Sequence, residues 1–187
     1  MKFASKSGPR GFTLMELLVV ISIIVVLAAL GIQGWRVVGE NQRRSQARVQ
    51  LGLLESALED YAADHGGEYP LYPEPTAKGG TAEIFDALFA EPAREGSPVY
   101  LAELAPDNDT QGWLNGQTGR QGLSIFDPWG GEFIYRTQDP SNPDQPIASN
   151  PGFDLWSSGP DHSTRPGSAG NLDRQDPANL DDIGSGR

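Results

Sequence analysis

Glu16 is the single charge in the run FTLMELLVVISIIVVLAALGIQGW, residues 12–35. A carboxylate in a lipid-facing helix costs about 2.5–3.5 kcal/mol at the centre of a bilayer and less near its edge. No Lys, Arg or His lies within the run to offset it. Burial of the charge needs a partner to be tolerable. From spacing alone the plain reading is a membrane anchor whose Glu16 reaches the polar interface.

A second group of carboxylates lies near the other end. Asp161, Asp173, Asp176, Asp181 and Asp182 fall in SSGPDHSTRPGSAGNLDRQDPANLDDIG, a stretch rich in glycine and poor in apolar residues. It reads as a solvated tail or as a loop that wraps a hard cation such as calcium, which takes about six to eight oxygen ligands. EF-hand spacing is absent from this stretch.

Other chemistry has little footing. The two histidines are His65, at a predicted helix end, and His162, in the acidic stretch. Both read as surface residues, and the chain carries no G-x-S-x-G, H-E-x-x-H or Walker loop, so no enzyme is expected. A formal net charge of −11 argues against a nucleic-acid binder, which gathers Lys and Arg to displace phosphate counterions. With no cysteine there is no disulfide and no thiolate zinc site.

The elements that position these groups can be read from periodicity. Lys2, Lys6 and Arg10 form a basic leader before the apolar run. Its roughly 24 residues give about 36 Å of helix, enough to span a bilayer. The positive-inside rule keeps the leader in the cytoplasm and sends the remainder outside. Beyond Trp35, Ala47, Leu51, Leu54, Leu58 and Tyr61 recur at helical spacing, and Gly66-Gly67 stands where a C-cap belongs. The spacing predicts one helix from Phe12 to about His65, apolar all round at first and amphipathic afterwards. The amphipathic half needs a partner layer.

That layer is expected from the glycine- and proline-rich remainder. Ala82–Phe89 reads as a small helix. Asp127-Pro128-Trp129-Gly130 suits a type I turn. Phe133 and Tyr135 alternate with Glu132, Ile134 and Arg136, and Phe153 to Trp156 alternate likewise, as half-buried strands do. Trp129 reads as a core aromatic. The fold class is α+β, a long helix on a small antiparallel sheet.

Gly11-Phe12-Thr13-Leu14-Met15-Glu16 resembles the class III signal of type IV pilins and pseudopilins. The resemblance implies cleavage by a prepilin peptidase between Gly11 and Phe12, and methylation of the new Phe12 amine. It also implies that Glu16 pairs with the N-terminal ammonium of a neighbouring subunit. The chain departs from the family at Val25 and Gln33, where glycine and proline are common. Gly31 and Gly34 are the residues here that loosen this part of the helix.

Three later stretches, ARVQLGLLESALEDYAADHGGEYP, FDPWGGEFIYR and FDLWSSGPD, are similar to the major pseudopilin of the type II secretion system. That resemblance implies a type IV pilin-like fold and divides the chain into a leader (1–11), a membrane and assembly segment (12–35) and a periplasmic domain (36–187). It implies one calcium held by Asp161, Asp181 and Asp182, with backbone carbonyls near Ser158 and Ser163. The implied partners are further copies in a helical filament, the prepilin peptidase, other pseudopilins and inner-membrane secretion components. The implied location is the bacterial inner membrane before assembly and the periplasmic pseudopilus after it. A type IV pilin of a surface fibre, and a membrane-anchored binding module borrowing the leader, are the alternative readings. Residues 113–124 and 138–151 look longer than the family core requires.

Overall fold

The computed structural model describes residues 12–71, 80–109, 111–137, 152–165, 173 and 175–184, without the side chains of residues 29–37. Gly11 and the segment 138–151 therefore lie outside the described residues, as does the side chain of Gln33.

Helix α1 spans Leu14–Asp64. The chain divides into two compact units, residues 1–41 and 42–187, and α1 contributes to both. In the first unit every large apolar side chain from Phe12 to Leu27 is at least 44% exposed. A helix apolar on all faces has no amphipathic side to bury within one chain. Among the described residues no helix is long and apolar enough to cross a membrane; the expected segment, 12–35, runs into residues whose side chains are not described. The Ser22 hydroxyl, in the middle of the described apolar stretch, donates back to the Leu18 carbonyl at 2.7 Å, so it does not present an unpaired polar group.

In the second unit the predicted stripe is the buried face. Ala47, Leu51, Leu54 and Leu58 are buried and Tyr61 is half-buried. The helix ends as its glycines require. Gly66 and Gly67 have positive φ, and the Gly67 N–H donates to the Ala62 carbonyl at 2.7 Å, the long bond of a Schellman cap.

Against this face pack two short helices and a sheet. Helix α2 (Thr81–Phe85) runs through one π-helical turn (Asp86–Ala90) into α3 (Glu91–Glu95). Strands β1 (Ile134–Thr137), β2 (Phe153–Ser157) and β3 (Ile183–Gly184) form an antiparallel sheet in the order β1-β2-β3. Tyr135 pairs with Leu155, and Ser157 with Ile183. The core joins Leu54, Leu58, Ile84, Phe85, Leu88, Phe133, Tyr135 and Leu155. This is the expected α+β arrangement.

One expectation is corrected. Strand β2 does not alternate: all five residues are buried, Asp154 and Trp156 included. It is the central strand, and the C-terminal segment covers its second face through Thr164, whose hydroxyl accepts from the Trp156 indole at 3.2 Å. Residues 113–124, the stretch that looks longer than the family core requires, contribute to the core all the same. Trp113, Leu114 and Leu123 are buried in the core. Trp129 is only half-buried and packs at the edge of the core.

Candidate functional site

At the N-terminal end, Thr13 and Glu16 form a reciprocal pair. The Glu16 carboxylate accepts from the Thr13 N–H and hydroxyl, each at 2.9 Å. The Glu16 N–H donates to the Thr13 hydroxyl oxygen at 3.2 Å. This is a capping box, which satisfies backbone donors that a helix start leaves open. T-x-x-E before an apolar run is its sequence signature, a role of Glu16 beyond its charge. The box uses no cation, and Phe12 and Glu16 both lie at the exposed tip of the helix.

The predicted turn at Asp127 is the hub of the sheet end. The Gly130 N–H donates to the Asp127 carbonyl at 2.9 Å, closing the type I turn, with Gly130 at φ 86°. The Asp127 carboxylate, itself buried, accepts from the N–H groups of Trp129 and Gly131, each at 2.9 Å, and from the Ser157 hydroxyl. Ser157 in turn accepts from the Gly159 N–H at 3.0 Å. One carboxylate thus ties the turn before β1 to the end of β2 and to the loop that follows.

That loop carries the predicted cation ligands. Residues Gly159–Asp161 make one 3₁₀ turn, and the Ser163 N–H donates to Asp161 at 2.8 Å. Ser158 is buried, whereas Asp161 and Ser163 are exposed. Asp181 lies beside Gly159, and Asp182 accepts from the Thr164 hydroxyl at 2.7 Å. The structure therefore brings Asp181 and Asp182 back to the loop after β2.

Burial raises the Asp182 carboxyl, and the charges of Asp181 and Asp161 push it further, to about 6, against the Thr164 hydroxyl bond that lowers it. The other Asp182 oxygen, Oδ1, is buried with no hydrogen-bond partner. Negative charge around Asp182 and an orphaned carboxylate oxygen are what a cation would relieve. Among the described residues, however, no group of three or more acidic or histidine side chains stands placed to hold a metal ion.

Asn179, which the sequence reading passed over, closes this loop. Its buried amide donates to the carbonyls of Arg165 and Asp173 at 2.8 and 2.7 Å and accepts from the Arg165 N–H at 2.7 Å. Asp176 prepares the approach by capping Ala178 at 2.8 Å. Both histidines are exposed; His65 stacks on Tyr61 with ring centroids 3.8 Å apart.

A long N-terminal helix, apolar at its start and packed further along on a small three-stranded antiparallel sheet, defines the type IV pilin-like class. Residues 6–32 match the prokaryotic N-terminal methylation motif. The chain is 33% identical to the type II secretion system core protein G of Klebsiella pneumoniae over 126 residues, 65% of this chain and 86% of that protein. It is 29% identical to the type II secretion system core protein G of Escherichia coli (strain K12) over 152 residues, 81% of this chain and 82% of that protein. The chain belongs to the type II secretion system core protein G family.

Proposed function

We infer that the protein is a structural subunit of the periplasmic pseudopilus of a type II secretion system. The carrying observation is family membership over most of the chain, joined to a methylation motif on an apolar helix start. A helix with exposed apolar residues on every face has two suitable environments, lipid and other copies of itself. The subunit would hold the first while stored in the inner membrane as a single-pass protein and the second in the filament. Head-to-tail contacts that do not close build such a fibre.

Processing fits this reading. A prepilin peptidase would cut between Gly11 and Phe12 and leave a free amine on Phe12, the residue just before Thr13-x-x-Glu16. In the filament the Glu16 carboxylate would exchange its Thr13 contacts for the ammonium of Phe12 on a neighbouring copy. Attraction between opposite charges strengthens in a dry helix bundle, and an unmatched charge there is costly.

The C-terminal loop is read as a calcium site. Asp161, Asp181 and Asp182 would supply carboxylate oxygens, with carbonyls near Ser158 and Ser163. The ion would relieve repulsion among the three acids and close the loop in a chain that has no disulfide. Its role is structural, as is that of the whole subunit.

Cell fractionation with mass spectrometry of the N-terminus tests the reading. The expected form begins at methylated Phe12 and divides between inner membrane and periplasm. A chain that keeps residues 1–11, or that is recovered in sheared surface fibres, would contradict it.

A further inference from the structure

A second loop carries cation chemistry that the filament reading does not use. Asp107, Asp109, Gln111 and Gly112 occupy the first, third, fifth and sixth positions of the calcium-loop pattern D-x-[DN]-x-[DN]-G, with Gln in place of Asp or Asn at the fifth. A Gln side-chain carbonyl is the same class of donor. Gly112 has φ +72°, the conformation that the sharp turn at the sixth position needs. The seventh position, Trp113, offers a backbone carbonyl. That carbonyl accepts from the Phe126 N–H at 2.7 Å and keeps a second lone pair.

What points to a ligand lies beneath this loop. Gln50 of α1 is fully buried and aims its amide at it: Nε2 donates to the Gln111 carbonyl at 3.3 Å, while Oε1 is buried without any partner. One oxygen of Asp109 accepts from the Leu114 N–H at 3.1 Å, and the other, Oδ1, is also buried without a partner. Buried oxygens left without donors are costly, and here two belong to one short turn and the helix under it. The indole N–H of Trp113, buried in the same turn, has no partner either. Asp107 is exposed, which gives an ion a way in.

We propose that this loop binds a divalent cation of the calcium class through Asp107, Asp109, Gln111, the Trp113 carbonyl and Gln50 Oε1. The remaining coordination positions fall to water, which also reaches the Trp113 indole. The twelfth position is Thr118, so the bidentate glutamate of the tightest loops is missing. Affinity then belongs in the weak extracellular range, with a Kd of about 10⁻⁴–10⁻³ M for calcium. The site is separate from the C-terminal loop and does not depend on the filament reading.

Terbium titration of the full chain in detergent, after chelator treatment, tests the proposal through tryptophan-sensitised emission and a count of bound ions. Asp109→Asn, which keeps the side chain's shape, is expected to remove one bound ion or weaken it at least tenfold. Asp107→Ala, a change at an exposed residue, should do the same with unchanged circular dichroism. Asp181→Ala should leave this ion in place, and Trp113→Phe should dim its emission without changing the count. An ion count and affinity unaffected by both Asp109→Asn and Asp107→Ala would overturn the proposal, leaving only a buried water among Gln50, Asp109 and Trp113.

Discussion

Gly159 lies directly against Asp181: a Cβ on Gly159 would stand 2.6 Å from the Asp181 carbonyl oxygen and 3.1 Å from its carboxylate. The loop leaving β2 and the segment entering β3 are thus in backbone contact at a residue with φ +67°. The acidic C-terminal stretch is held here, beside the loop that carries Asp161.

Gly159→Ala should therefore be severe. The substitution adds an unfavourable backbone conformation, which alone costs about 1–3 kcal/mol, and a clash with backbone that cannot swing aside. Gly130→Ala is the control, since Gly130 has φ +86° with nothing within 4 Å of its Cβ position. Thermal melts should show the larger loss at Gly159. Equal losses would mean that the Asp181 contact contributes nothing.

Asp127 is expected to be the most sensitive polar residue of the domain. Asp127→Ala leaves the Trp129 and Gly131 N–H groups and the Ser157 hydroxyl without their acceptor. Charge-assisted bonds of this kind make the loss about 2–4 kcal/mol. Ser157→Ala should cost less, and the double variant should fall short of the sum by about 1 kcal/mol, because the two side chains share a bond. Strict additivity in urea denaturation would refute that coupling.

Much of this architecture was legible in the sequence, for physical reasons. The Ala47-to-Tyr61 stripe, the Gly66-Gly67 cap and the Asp127 turn are local signals, set by residues within a few positions of each other. The burial of both faces of β2 was not legible. Phe153 to Trp156 reads as a half-buried alternating strand, and what makes β2 central is Ile183-Gly184, which pairs beside it from 26 or more residues away. The burial of Trp113 was not legible either: its surroundings look like a glycine-rich loop, and its partners in the core lie on distant elements. The Thr13–Glu16 box is a local pattern as well, a T-x-x-E before an apolar run.

Calcium should stabilise the protein by mass action. An ion present at about 100 times its Kd adds about 2.7 kcal/mol. For a chain of this size that amounts to about 5–10 °C in Tm. Chelator should lower Tm by that amount in the wild-type chain. In an Asp181→Ala variant the response should shrink to what the Asp107–Asp109 loop supplies. A wild-type Tm indifferent to both calcium and chelator would remove the ion from the account.

The capping and pairing roles of Glu16 can be separated. Thr13→Ala removes the cap at a cost of about 1 kcal/mol to the helix end and should leave filaments intact. Glu16→Gln keeps an acceptor for the Thr13 N–H and hydroxyl but loses the charge. If the charge pairs with Phe12 of a neighbour, Glu16→Gln is cleaved normally and fails to assemble in cross-linking and electron microscopy. Normal fibres from Glu16→Gln would mean that Glu16 serves only as a cap.

Secretion itself tests the central claim most directly. The gene is deleted, and the secreted proteome is compared with that of the parent and of the deletion complemented by wild-type chain or by Glu16→Gln. The account predicts that secreted proteins accumulate in the periplasm of the deletion, that the wild-type chain restores their release, and that Glu16→Gln does not. Unchanged secretion in the deletion would contradict it.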